Sequence, residues 1–66
     1  MGVNYKRLWK LLIDKDMTKT DLRKKTDIAT STIAKMSRNE FVSLEVLVRI
    51  CYVLDCELSD IAEIER

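Results

Sequence analysis

Residues 17–36 read MTKTDLRKKTDIATSTIAKM and contain two short helical patterns separated by a tight corner. Thr18 stands in an N-cap position with Asp21 three residues later, which is the pattern of a capping box. This pattern predicts a helix over about residues 19–26. Such a helix has only about two turns and offers little besides Leu22 to a core, so tertiary contacts must stabilise it.

The second pattern in this stretch is an apolar stripe formed by Ile28, Ile33 and Met36. Its spacing predicts a helix over about residues 30–37. The side away from the stripe carries side chains that form hydrogen bonds: Thr30, Ser31, Thr32 and Lys35. Two short helices around a corner, the second with a polar outer side, are typical of a helix-turn-helix motif.

A further helix is predicted before this stretch, over about residues 4–14, with Asn4 as its N-cap. Its apolar side is expected to comprise Tyr5, Leu8, Trp9, Leu12 and Ile13. Its outer side is expected to carry Lys6, Arg7 and Lys10.

After the motif, Ser43 is expected to cap a fourth helix over residues 44–54. The side of this helix that faces the core is expected to comprise Leu44, Leu47, Val48, Cys51 and Leu54. Ser59 is expected to cap a short fifth helix or turn, and a terminal strand near Ile64 is possible. These elements predict an all-α globule of five short helices that cross at large angles.

Composition and charge narrow the class of protein. The chain of 66 residues is 47% hydrophobic and 35% charged, which is typical of one globular domain. The net charge of +1 is unevenly distributed along the chain: residues 1–39 carry +6 and residues 40–66 carry −5. One part of the surface is therefore expected to attract polyanions. No apolar run has membrane or signal-peptide length, so we expect a cytoplasmic protein that does not contact membranes.

The two cysteines, Cys51 and Cys56, are expected to be a core thiol and a loop thiol. A disulfide would require Cys56 to turn back toward Cys51, and a cytoplasmic location disfavours it. Two thiols without any histidine cannot complete a four-ligand zinc site. We therefore expect no metal and no cofactor.

Four stretches carry a resemblance to a known family: 17–22 (MTKTDL), 26–33 (TDIATSTI), 42–51 (VSLEVLVRIC) and 54–61 (LDCELSDI). They resemble the Xre/Cro-type helix-turn-helix family over most of the chain. The resemblance implies a compact five-helix, lambda-repressor-like DNA-binding domain over residues 1–66. Within the family, the chain is most similar to small stand-alone regulators of the VanU type, which are linked to vancomycin-resistance operons.

The resemblance also implies a DNA-binding surface, with the third helix in the major groove of double-stranded DNA. Its hydroxyls and ammonium group suit base edges. The resemblance implies that Thr30, Ser31 and Lys35 face base edges. It implies that Thr32 lies at the wall of the groove. The residues implied to hold the phosphate backbone are Thr18, Lys19, Thr20, Arg38 and Asn39.

The sequence departs from the family pattern at the corner between the two helices. Asp27 occupies a position where the family commonly has glycine, and it must enter the left-handed region to close the corner. Ala29 replaces the hydroxyl residue that usually caps the third helix, so Thr30 is an alternative cap. A start shifted by one residue would change the set of base-contacting side chains.

Several alternatives remain open at this stage. A protein-interaction adaptor with the same fold could bind a larger regulatory protein instead of DNA, whereas the absence of a histidine base and a phosphate loop disfavours an enzyme. Lys24 and Lys25 fit either a solvated face or DNA contacts. Family members commonly bind DNA as two-fold homodimers with recognition helices about 34 Å apart. Tyr52 and Ile64 are candidates for such a dimer surface.

Overall fold

The structure, a computed structural model, describes residues 1–66 and contains four α-helices, one 3₁₀ helix and a two-stranded sheet. In chain order the elements are β1 (Gly2–Asn4), α1 (Lys6–Asp14), α2 (Lys19–Thr26), α3 (Thr30–Ser37), α4 (Leu44–Leu54), the 3₁₀ helix (Leu58–Asp60) and β2 (Glu63–Glu65). The predicted all-α helix-turn-helix class is confirmed. The predicted fifth helix is shortened to one 3₁₀ turn.

Helix α1 begins at Lys6, two residues later than predicted, because Asn4 belongs to β1. The predicted N-cap was also wrong, because Tyr5 occupies the cap position. The Asn4 side chain still accepts a hydrogen bond from the Lys6 N–H at 3.3 Å. The prediction that Ile13 faces the core was wrong, since its side chain is 73% exposed. The buried side is centred on Leu8 and Leu12, and successive helical residues are about 100° apart, so Ile13 turns away. Leu11 packs against the core instead.

Helix α2 has the predicted bounds and the predicted capping box. Thr18 Oγ1 accepts a hydrogen bond from the Asp21 N–H at 3.1 Å, and Asp21 Oδ2 accepts one from the Thr18 N–H at 3.0 Å. Asp27 ends the helix with a φ of 58°, so it takes the left-handed conformation that the corner requires without glycine. Leu22 is buried, as expected, and Thr26 is buried as well.

Helix α3 starts at Thr30 with Ala29 in the N-cap position, and no side chain caps it. The alternative in which Thr30 is the cap was therefore wrong, because Thr30 is already the first helical residue. Ile28, Ile33 and Met36 are buried, which confirms the apolar stripe.

Helix α4 has the predicted bounds, and Ser43 Oγ accepts the hydrogen bond of the Val46 N–H at 3.2 Å. Its inward side was predicted correctly for Leu47, Cys51 and Leu54, which are buried or packed against the core. The prediction was wrong for Leu44 and Val48, which are 63% and 52% exposed, and it omitted Ile50, which is fully buried. Apolar residues occur on almost every side of this helix, so periodicity alone did not distinguish the inner side. The buried side packs against α2.

The C-terminal residues return to the start of the chain. Ser59 does not cap the 3₁₀ helix as predicted; the cap position is occupied by Glu57, whose N–H donates to Asp60 Oδ2 at 2.9 Å. Strand β2 then pairs with β1 in antiparallel register, with Val3 opposite Ile64. The possible terminal strand is thus confirmed.

One hydrophobic core joins the helices and the corners between them. Its ten buried residues are Tyr5, Leu8, Leu12, Leu22, Ile28, Ile33, Met36, Ile50, Leu54 and Ile61. Cys51 and Cys56 are half-buried against it, and both thiols are free. No helix has both the length and the apolar character needed to span a membrane.

Candidate nucleic-acid interface

The outer side of α3 is polar, as the sequence predicts. Thr30, Ser31 and Lys35 are exposed, and Thr32 is half-buried. Ser31 and Lys35 are four residues apart and therefore lie on the same side of the helix, one turn from each other. The buried residues Ile33 and Met36 hold the opposite side in the core, so packing fixes which side of α3 faces solvent.

The start of α2 presents three further exposed residues, Thr18, Lys19 and Thr20. Lys19 makes two contacts that the sequence did not indicate. Its Nζ donates a hydrogen bond to Ser37 Oγ at 2.9 Å and lies 4.1 Å from the centre of the Trp9 ring. These contacts bring the first turn of α2 beside the last turn of α3.

Arg38 and Asn39 lie in the corner after α3, and each has a partner within the chain. The guanidinium of Arg38 forms an ion pair with Glu40 and remains exposed. Asn39 has a φ of 57°, and its Oδ1 accepts a hydrogen bond from the Tyr5 N–H at 3.3 Å. The Tyr5 hydroxyl donates to the Glu40 carbonyl at 2.7 Å. The corner is therefore tied to the start of α1.

The predicted site residues fall into two groups along α3. Thr30 and Ser31 lie at its N-terminal end, whereas the Lys19 ammonium and Arg38 lie near its C-terminal end. Eight residues of helix span about 12 Å, which separates the two groups. Lys35 lies between them.

The basic side chains of this surface differ in how far carboxylates neutralise them. The three ion pairs of the structure are Arg7–Glu63, Arg38–Glu40 and Arg49–Glu45. Lys19 and Lys35 belong to none of them, so their charges remain available to an anion. Lys24 and Lys25 are also exposed on α2.

Asp21 is the one carboxylate in the first turn of α2. Hydrogen bonds from Thr18 hold the pKa of the Asp21 carboxyl below its usual value. The carboxylate therefore stays ionised as the capping group of α2, and it is not free to act as a proton donor near neutral pH.

The contacts at this surface that sequence reasoning missed are those of Trp9 and Ser37 with Lys19. Trp9 was assigned to the core and Ser37 to the end of a helix. Both meet Lys19 only after α1, α2 and α3 have packed together, because Ser37 is 18 residues from Lys19 along the chain. No local pattern in the sequence signals such a contact.

Comparison with known proteins identifies the class of this protein. The family model of the Cro/C1-type HTH DNA-binding domain matches residues 7–66. The chain belongs to this family, and it is a DNA-binding domain of a transcriptional regulator. Among solved structures, it is similar to the transcriptional regulator VanUg, with 52% sequence identity and a TM-score of 0.92. The alignment covers 94% of this chain and 83% of that one. No curated protein matches the sequence.

These comparisons confirm the predicted resemblance to small Xre/Cro-type regulators of the VanU type. The matched region begins within α1 and includes both helices of the motif.

Proposed function

We propose that residues 1–66 act as a single domain that binds double-stranded DNA in a sequence-specific manner, with α3 in the major groove. The observation that supports this most directly is the exposure of Thr30 in the first turn of α3 and of Ser31 and Lys35 on the side opposite its buried residues. A helix needs such a polar, protruding side to read base edges.

The surface suggests a division of labour between α3 and the residues around it. Thr30, Ser31 and Lys35 contact base edges in this proposal, and Thr32 lies at the groove wall. Residues that hold the phosphate backbone are Thr18, Lys19, Thr20, Arg38 and Asn39. The Asn39 side-chain oxygen already accepts a hydrogen bond from Tyr5, so the NH₂ group of the side chain remains to donate to DNA.

Selection of bound duplexes from a random DNA pool, followed by a salt series on the selected duplex, tests the proposal. Four to six phosphate contacts predict a slope of about −4 to −5 for log K against log salt concentration. Lys10→Ala is a control that should leave this slope unchanged. Lys10 lies on α1 in a hollow lined by Leu54 and Asp55, away from the motif. No enrichment of any sequence would contradict sequence-specific binding.

A flat salt response would favour the second candidate, an adaptor that binds a larger regulatory protein. The apolar outer side of α4 gives this candidate some support, because Tyr52 is 87% exposed beside the exposed residues Leu44 and Val48. Large exposed apolar side chains at helical spacing are typical of protein contacts.

We favour a second copy of this chain as the occupant of that apolar side, so that two domains bind DNA together as a homodimer. Leu58 lines two adjoining hollows, one rimmed by Asp55 and Glu57 and the other by Arg66 and the Arg7–Glu63 ion pair. A two-fold axis near Leu58 would set the acidic rim of one copy against Arg66 of the other. Ile64, which is 67% exposed, borders the second hollow.

Sedimentation equilibrium of wild type and of Tyr52→Glu tests this arrangement. Dimers that dissociate in the variant, with unchanged helicity, are the expected result. A monomer at all concentrations, both free and on DNA, would exclude the homodimer.

Regulators of this class are generally not enzymes, and the proposed role needs neither catalysis nor a cofactor. Its target being DNA, we propose that the protein acts in the cytoplasm.

A further inference from the structure

Lys19 is held by two neutral groups from two other helices. Its Nζ lies 4.1 Å from the centre of the Trp9 ring on α1 and 2.9 Å from Ser37 Oγ on α3. A lysine side chain has four rotatable carbon–carbon bonds and is ordinarily mobile at an exposed position. Here the electron-rich face of an indole and a hydroxyl oxygen both attract the ammonium.

We propose that Trp9 and Ser37 are positioning residues, which hold the Lys19 ammonium where it meets a DNA phosphate. This proposal rests on the proposed DNA-binding function and deepens it. Neither residue touches DNA in this account, because both act through Lys19.

The neutrality of the two partners is the reason for a binding role. No carboxylate pairs with the Lys19 ammonium, since it takes part in none of the ion pairs. Arg38, in the same region, is compensated by Glu40. The ammonium has three N–H donors, and Ser37 accepts from only one of them, so donors remain for a phosphate oxygen. Prior ordering of the side chain removes part of the entropy that binding would otherwise cost.

The first test uses the free protein and needs no DNA. Protons on the methylene groups of Lys19 lie near the face of the only tryptophan, so proton NMR should show them shifted upfield relative to the other lysines. Lys19 methylene signals at ordinary positions would overturn the proposal regardless of what the protein binds.

The second test measures DNA binding by anisotropy with Trp9→Leu, Ser37→Ala and Lys19→Met. Trp9→Leu should weaken binding about two- to fivefold, which is the size that an exposed cation–π contact carries. Ser37→Ala should also weaken binding, because it removes the hydrogen bond to the ammonium. Lys19→Met should reduce the salt slope by about 0.9, the value for one phosphate contact. Ser37 is exposed, so Ser37→Ala tests the proposal even if Trp9→Leu impairs folding.

Combined variants distinguish positioning from a merely structural role. Trp9→Leu and Ser37→Ala should have no further effect in a Lys19→Met background, whereas their effects should persist in a Lys10→Met background. Equal losses of DNA affinity in both backgrounds would overturn this positioning proposal and leave the proposed DNA-binding function intact. A protein with the upfield shifts that binds no duplex would overturn the proposed function and this proposal together.

Discussion

Asn39 determines the path of the chain after α3 through both its backbone and its side chain. Its φ of 57° is left-handed, a region that asparagine enters more readily than most residues. Its Oδ1 accepts the Tyr5 N–H, which would otherwise lack a partner between β1 and α1. The left-handed conformation of Asn39 follows the known preference of asparagine at helix ends, whereas its hydrogen bond to Tyr5, far away in the sequence, was not indicated.

Two substitutions separate the contributions of Asn39. Asn39→Gly keeps the backbone freedom and loses the hydrogen bond, so it should lower the free energy of unfolding by about 1 kcal/mol. Asn39→Ala loses the hydrogen bond and also strains the backbone, so it should lower the free energy of unfolding by roughly 1 kcal/mol more than Asn39→Gly does. Urea denaturation followed by circular dichroism measures both. If alanine is no more harmful than glycine, the left-handed conformation is not important for stability.

At the level of helices, local signals gave the boundaries of α2 and α4 correctly, but not the start of α1 or the cap of the 3₁₀ helix. Thr18 and Ser43 each accept the predicted hydrogen bond, and the bounds of α2 and α4 follow from those caps. The orientation of α4 was predicted less well, because leucine, valine and isoleucine surround it. Which of these side chains is buried depends on the position of α2, and the sequence of α4 does not contain that information.

Leu44 and Leu54 offer a matched comparison, since both are leucines of α4 that the sequence assigns to the core. Leu54 is buried and Leu44 is exposed. Leu54→Ala should lower the free energy of unfolding by about 2–5 kcal/mol through lost burial and a cavity. Leu44→Ala should change it by less than about 0.5 kcal/mol. Thermal unfolding at low protein concentration checks both, and similar losses would show that Leu44 is covered in solution.

Helices α2 and α3 should affect DNA binding in different ways. Lys35 is exposed on α3, so Lys35→Ala should weaken the free energy of DNA binding by about 1–3 kcal/mol and change the sequence preference. Lys19 lies at the start of α2, so Lys19→Ala should weaken binding evenly across sequences. Competition between the selected duplex and random duplexes measures the difference. Equal losses on both kinds of DNA for both variants would refute the division.

For the whole molecule, the fold class and the outer side of α3 were predictable because they follow from short, local patterns. The contacts among Trp9, Lys19 and Ser37 were not, because they join three helices that are separate in the sequence. For the same reason β1 was not predicted and β2 was only a possibility, since each strand has three residues and its partner is at the other end of the chain.

Stability of the whole domain should decline at alkaline pH. Burial raises the pKa of the Cys56 thiol from 9.0 to about 11 and also raises the pKa values of Cys51 and Tyr5. Below pH 9 these groups are protonated in both states, so their contribution to stability is complete. As the pH rises toward 11, the unfolded chain loses these protons first, and stability is lost.

Urea midpoints measured between pH 8 and pH 11 check this expectation. Cys56→Ser should show a smaller alkaline decline than wild type, because serine does not ionise in this range. An identical decline in the variant would show that Cys56 is not the group responsible.

The antiparallel pairing of β1 with β2 places Gly2 opposite Glu65. In a variant limited to residues 1–66, a short peptide bridge could therefore join residue 66 to residue 1 in a covalent ring. Backbone cyclisation of this kind would restrict the unfolded chain while leaving α2 and α3 untouched, so it offers a way to raise heat resistance without altering the surface proposed to read DNA.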